Sequence, residues 1–184
     1  MRVLRTSAVA LVGIWMVLGL LGARAEAENR SIKLSAFDEV PVVISNATGT
    51  LRVKISADEQ TIEYTVSYSG IEGGKVLQSH IHLGQRHVNI GAGGQSNIVV
   101  FLCTNLGNAP VSITHPTPAC PDGPDGEVKG TLDASNVIER AAQGVGAGDL
   151  AAVIVAIRNG VAYGNVHTEV SPSGEIRGNF HGNH

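Results

Sequence analysis

The feature that most limits what this chain can fold into is a strict two-residue alternation. Thr50 to Ile55 reads T-L-R-V-K-I, with Leu51, Val53 and Ile55 on one side and Arg52 and Lys54 on the other. Thr61 to Tyr68 repeats the pattern, with Ile62, Tyr64, Val66 and Tyr68 set against Thr61, Glu63, Thr65 and Ser67. Ser56 to Gln60 links the two runs. A period of two belongs to a pleated strand with one face buried and one solvated, so the pair reads as a hairpin. Similar runs punctuated by Gly, Asn, Asp and Pro fall at Ser31–Ala36, Gln78–Leu83, Asn97–Leu102, Glu127–Leu132, Val161–Thr168 and Glu175–Phe180. About eight strands predict an all-β sandwich or a small Greek-key barrel.

One segment breaks that rhythm. Leu150, Val153, Ile154 and Ile157 recur at helical spacing, with Asp149 placed to cap the start and Gly160 just past the end. A second short helix is expected over Ala134–Ala142. Both are expected to cover an open end of the sandwich.

The chain has 184 residues, 43% hydrophobic and 16% charged, which suits one packed domain. Its formal charge of -3 argues against nucleic acid, whose binders carry a basic face. Arg2 and Arg5 precede an apolar run from Ala8 to Ala23, followed by Ala23-Arg24-Ala25. That is the plan of a signal peptide, expected over residues 1–25 with a single domain over 26–184. The run is short for a membrane anchor, so no membrane span is expected after cleavage, and no lipidation cysteine follows it. The mature protein is expected to be exported, periplasmic or secreted.

In an oxidising compartment Cys103 and Cys120 read as a disulfide, worth roughly 3 kcal/mol by loop entropy; two free thiols are the alternative. The seven histidines invite a metal reading. His80 and His82 form H-I-H in a strand-like run, which puts both imidazoles on one face. In Tyr163-Gly164-Asn165-Val166-His167-Thr168 the alternation turns Val166 inward and Tyr163, Asn165 and His167 outward. Should the two strands be neighbours, His80, His82 and His167 meet on one surface. Three neutral nitrogens suit copper or zinc and leave a coordination position open. Ordinary hydrogen-bonded strand histidines are the other reading. His87 lies close enough in sequence to reach the same region as an auxiliary ligand. His115 is expected to face solvent, and His181 and His184 lie at the C-terminus. Asp122 to Glu127 offers oxygens for calcium but without EF-hand spacing, and a turn explains it equally. Asn46-Ala47-Thr48 is a glycosylation acceptor in a eukaryotic source. No G-x-S-x-G, H-E-x-x-H or phosphate loop is present.

A family resemblance runs from about Ile32 to Phe180. Leu34-Ser35-Ala36-Phe37-Asp38-Glu39-Val40-Pro41, Gly49, Tyr64-Thr65-Val66, Ser69-Gly70-Ile71 and Ser79-His80-Ile81-His82-Leu83-Gly84 resemble successive motifs of the CHRD domain. That domain is named from its repeats in chordin and is found also in exported microbial proteins. Tyr163 to Thr168, followed by Pro172-Ser173-Gly174-Glu175-Ile176-Arg177-Gly178, is the most specific match. Gln85-Arg86-His87 and the cysteine-bounded insert are similar to the microbial branch. Val42 stands where a second proline is common, and the tail after Phe180 is individual.

The resemblance implies an immunoglobulin-like sandwich distantly similar to copper–zinc superoxide dismutase. By that similarity His80 and His82 match the dismutase's H-x-H pair, His167 matches a later copper ligand, and Arg177 is similar to its active-site arginine. Without a Gly-His-rich zinc loop, a bridging histidine or a zinc aspartate, the implied site is mononuclear, with copper ahead of zinc. Glu175 and Arg177 would then surround the ligands, or pair with neighbours simply to hold strands together. The family has no well-established activity. The chain therefore reads first as a metal-binding module. A structural module for an extracellular or envelope protein is the alternative. A superoxide or other copper redox activity would additionally need the bound metal.

Overall fold

The hairpin at the centre of the sequence argument forms in full register. In a computed structural model, which describes residues 26–85 and 97–182, β2 (Thr48–Ile55) pairs antiparallel with β3 (Ile62–Ser69), Leu51 opposite Val66 and Val53 opposite Tyr64. Leu51, Val53, Ile55, Ile62, Tyr64, Val66 and Tyr68 are all buried, as the alternation requires. Six more strands complete the fold: β1 (Glu28–Ser35), β4 (Val76–Leu83), β5 (Ile98–Thr104), β6 (Gly126–Leu132), β7 (Ala162–Thr168) and β8 (Ile176–Asn179).

All eight belong to one antiparallel sheet in the order β5-β4-β7-β8-β1-β2-β3-β6. The sheet curls into a nearly closed barrel. Its two unpaired edges, β5 and β6, face each other across the gap, and the Tyr64 hydroxyl of β3 spans it by donating to Leu102 O on β5 at 2.6 Å. Read round the barrel, the order is 1-2-3-6-5-4-7-8. The chain leaves β3 for the far side and returns after β6, which makes the topology Greek key. At Gly178 β8 runs so close to β1 that an added Cβ would sit 2.0 Å from Lys33 O, so no other residue fits there.

The helix α1 (Leu150–Arg158) forms as its periodicity predicts, burying Leu150, Val153, Ile154, Ala156 and Ile157. Asp149 caps it through Ala152 N at 2.9 Å, and Gly160 ends it at a positive φ of 68°. The second helix expected at Ala134–Ala142 does not form. Two separate 3₁₀ turns, Ala134–Asn136 and Ala141–Gln143, stand in its place. Asp133 and Asn136 close a capping box around the first turn. The chain then extends, and Ile138 N donates to Val99 O on the edge of β5 at 2.9 Å. An edge strand's free carbonyl takes the amide that a continuing helix would have used.

Cys103 and Cys120 are disulfide-bonded, tying the end of β5 to the loop before β6. No helix among the described residues is long and apolar enough to cross a membrane. The expected signal peptide, His87 and His184 lie outside the described residues.

Candidate metal centre

The strand pairing on which the histidine reading depends is present. β4 lies beside β7, with His80 opposite Asn165, His82 opposite Tyr163 and Gln78 opposite His167. Alternation then aims His80, His82, Tyr163, Asn165 and His167 at one side of the two strands.

That side is not solvated, which corrects the expectation of a surface site. All seven residues of β7 are buried, as are Ser79 to Leu83 of β4. Segments outside the two strands cover them. Phe101 of β5 meets His80 edge to face, with centroids 4.4 Å apart. Pro172 closes over His167, Glu39 lies beside Asn165, and the Arg177 guanidinium stands 3.5 Å above the Tyr163 ring. Tyr163 in turn stacks on His82, 4.7 Å between centroids and 3° from parallel.

One donor atom from each of His80, His82 and His167 lies within 4.8 Å of the others, and this is the one such cluster of three or more metal-donor side chains among the described residues. Buried polar atoms need partners, and here the partners set the tautomers. The Pro172 carbonyl only accepts, so His167 donates from Nδ1 at 3.0 Å and its Nε2 carries a bare lone pair. The Asn97 amide nitrogen donates to Leu83 O. Asn97 Oδ1 therefore accepts from His82 Nδ1 at 2.8 Å, which leaves His82 Nε2 bare. His80 turns Nδ1 to His167 Nε2 at 3.0 Å, while its Nε2 is buried without a hydrogen-bond partner.

The rings are also held neutral. Burial pushes His82 down to about 3 and His167 to about 4, and drives His80 well below the ordinary imidazole value. The mutual repulsion of the rings adds to this for His80 and His82. An imidazole must be neutral to ligate, so protons do not compete for these nitrogens at neutral pH. Polar groups fixed around the rings orient them as partners orient ligating histidines generally. The set fits a nitrogen-preferring transition ion.

The remaining site residues sort by position. Arg177 lies over Tyr163, which stacks on His82, adds its charge to the forces lowering His82, and donates to Gln85 O at 3.0 Å. Glu175 is buried but turned to the other end of β7. It accepts from Ser45 Oγ, Glu72 N, Gly73 N and Thr168 Oγ1 at 2.8 to 2.9 Å, so it organises a loop. His115 stands 3.7 Å from Asp133, and His181 is exposed. The carboxylates of the candidate calcium loop turn to separate partners, Asp125 to Gly70 N and Glu127 to Lys129. That segment is the turn before β6. Sequence reasoning missed Asn97 and Glu39 at this site. Asn165 was placed on the right face with no role, although its position two residues before His167 could have marked it.

An all-β Greek-key barrel with a buried three-histidine cluster between two central strands is therefore the class of domain present. The CHRD domain model matches residues 30–180, and the chain belongs to the CHRD domain family. No curated protein and no solved structure matches the chain.

Proposed function

We propose that this domain binds one transition-metal ion, copper ahead of zinc, through His80, His82 and His167. The observation that carries the reading is the convergence of three neutral imidazoles, with His82 oriented by Asn97 and His167 by Pro172. Donors to one ion sit roughly 3–4 Å apart because each bond is about 2 Å long. A contraction of about 1 Å at the widest pair therefore completes the set. Imidazole donors suit both copper and zinc, and the general affinity order sets copper above zinc. When bound, copper would supply storage, transfer or one-electron chemistry. The disulfide supports an exported, oxidising setting, periplasmic or extracellular.

Calorimetric titration of the leaderless protein with copper is the test. One ion per chain is expected, with binding lost in His80→Ala and His167→Ala variants that circular dichroism shows to be folded. Unchanged affinity in both ends the proposal.

A second reading, an interaction module for an extracellular or envelope protein, is favoured by Val111 and Ile113. These stand 94% and 96% exposed in the disulfide-bounded loop. Under that reading Val111→Ser with Ile113→Ser abolishes capture of a partner from an exported fraction, while the histidine variants retain it.

A further inference from the structure

Every donor in the cluster is neutral. His80, His82 and His167 are its only members among the described residues, and no carboxylate or thiolate joins them. Both cysteines are taken by the disulfide. A neutral imidazole gives an electron pair and no negative charge, so an ion seated here keeps its full charge.

The surroundings set what that charge costs. His80 is 0% exposed, and His82 and His167 are 6% exposed each. Phe101 meets the His80 ring edge to face and Tyr163 stacks on His82, so aromatic rings stand where water would otherwise screen an ion. The formal charges nearby do not supply an anion. The Arg177 guanidinium lies over the Tyr163 ring, and its charge reaches His82. The buried Glu39 carboxyl is under the influence of that same guanidinium, so the two offset each other. Glu175 is turned to the other end of β7, where four donors surround it. The desolvation penalty of an ion grows with the square of its charge, so a dication meets about four times the penalty of a monocation.

Donor number acts in the same direction. Copper(II) favours tetragonal sets of four or more ligands, and zinc(II) on three histidines adds water as a fourth. Copper(I), with a filled d shell and a single charge, is satisfied by three nitrogens.

We infer that this centre selects its ion by charge and holds copper as copper(I), in preference to copper(II) and zinc(II). The inference rests on the metal-binding reading above and adds to it the oxidation state of the ion. A site that favours one oxidation state suits holding and handing over copper rather than cycling it.

The test measures three affinities of the leaderless protein: copper(I) without oxygen by competition with bicinchoninate, and copper(II) and zinc(II) by calorimetry. Voltammetry of the copper-loaded chain reads the copper(I) to copper(II) preference as a reduction potential. One copper(I) per chain should bind about 100-fold or more tighter than either dication, with a potential above that of copper in water. Asn165→Asp puts a carboxylate where the amide oxygen now lies 3.0 Å from Nε2 of both His82 and His167. With that negative charge supplied, the preference should shrink about 10-fold or more and the potential should fall. Arg177→Gln removes the cation and leaves Glu39, so it should move the potential the same way. Arg177→Lys keeps the charge and should retain the native potential, whereas a residue that only supports the fold would not sort its variants by charge. If Asn165→Asp does not fold, the Arg177 pair decides. A dication bound as tightly as copper(I), or a potential indifferent to these charge changes, would overturn the inference and leave three-histidine binding intact. Failure of the native chain to take up any of the three ions would overturn the metal-binding reading itself.

Discussion

The two halves of the barrel wall obey different rules. In β1, β2, β3 and β6 one face looks into the core and the other into water. Ser31, Arg52, Thr65 and Lys129 lie in register across the outer side, and none of them is buried. In β4, β7 and the paired part of β8 both faces are covered, and the same alternation puts His80, His82, Asn165, His167 and Arg177 under cover. A polar residue on the first half is satisfied by water. On the second half it needs a protein partner or an ion, so there each polar side chain has a specific task. The difference teaches where to look for chemistry in such a domain. Polarity on a strand is informative only where the sheet is covered twice.

The sharpest way to break that contrast is to remove a polar group whose partners are all buried. Glu175→Ala deletes the acceptor of four hydrogen bonds from Ser45, Glu72, Gly73 and Thr168. Orphaned buried donors each carry a desolvation penalty, and the loss should reach roughly 3–5 kcal/mol in urea unfolding. A loss under about 1 kcal/mol would place Glu175 among surface residues energetically and undo the distinction between the halves.

Acid sharpens the comparison next. The folded His82 and His167 titrate at about 3 and about 4, against 6.5 for a free ring. Between those values the unfolded chain binds more protons, so the metal-free protein loses stability as pH falls below about 6.5. At pH 5 the loss is on the order of 2 kcal/mol per ring. Glu39 acts in the opposite direction. Burial raises its carboxyl from 4.5 to about 7, so protonating it on acidification stabilises the fold and offsets part of the loss. From His82, His167 and Glu39 alone the native chain should therefore lose about 2 kcal/mol between pH 7 and pH 5. His80 adds to the loss in the same direction, and Glu39→Gln should lose about 2 kcal/mol more than the native chain. Denaturant curves at the two pH values measure both. A flat profile in the Gln variant would mean that the histidines are not buried neutral.

How far the sequence reaches differs between the halves for the same reason. On the singly covered half, alternation alone specifies which residue faces which way, and Leu51 through Tyr68 behave as the pattern says. On the other half alternation correctly grouped His80, His82 and His167. It could not tell that their face is buried. The covering groups Glu39, Phe101, Pro172 and Arg177 come from the segment after β1, from β5 and from the stretch running into β8, and no local period encodes their arrival. Asn97 fixes a tautomer from the residue just before β5, a role invisible until the strands are assembled. The false helix at Ala134–Ala142 fails likewise, because the competing partner is the β5 edge.

A change at the end of the barrel should cost less. Asp149→Ala removes the side-chain cap on Ala152 N while leaving the apolar face of α1 packed. About 1 kcal/mol of stability should be lost, with copper uptake unaltered, since α1 supplies nothing to the imidazoles. Thermal unfolding read with and without copper checks both parts.

The smallest effect belongs to the singly covered half. Lys54 and Glu63 are opposed on β2 and β3 with Nζ and Oε2 3.3 Å apart, and both side chains are about half exposed or more. Water already solvates each charge, and holding two long side chains in one geometry costs entropy. A double-mutant cycle through Lys54→Ala and Glu63→Ala should therefore give a coupling of roughly 0.2–1 kcal/mol that shrinks with added salt. A coupling several times larger and insensitive to salt would require that this face be shielded from water in solution. The outer side of β2 and β3 would then be a contact surface, and the two halves of the wall would differ only in what covers them.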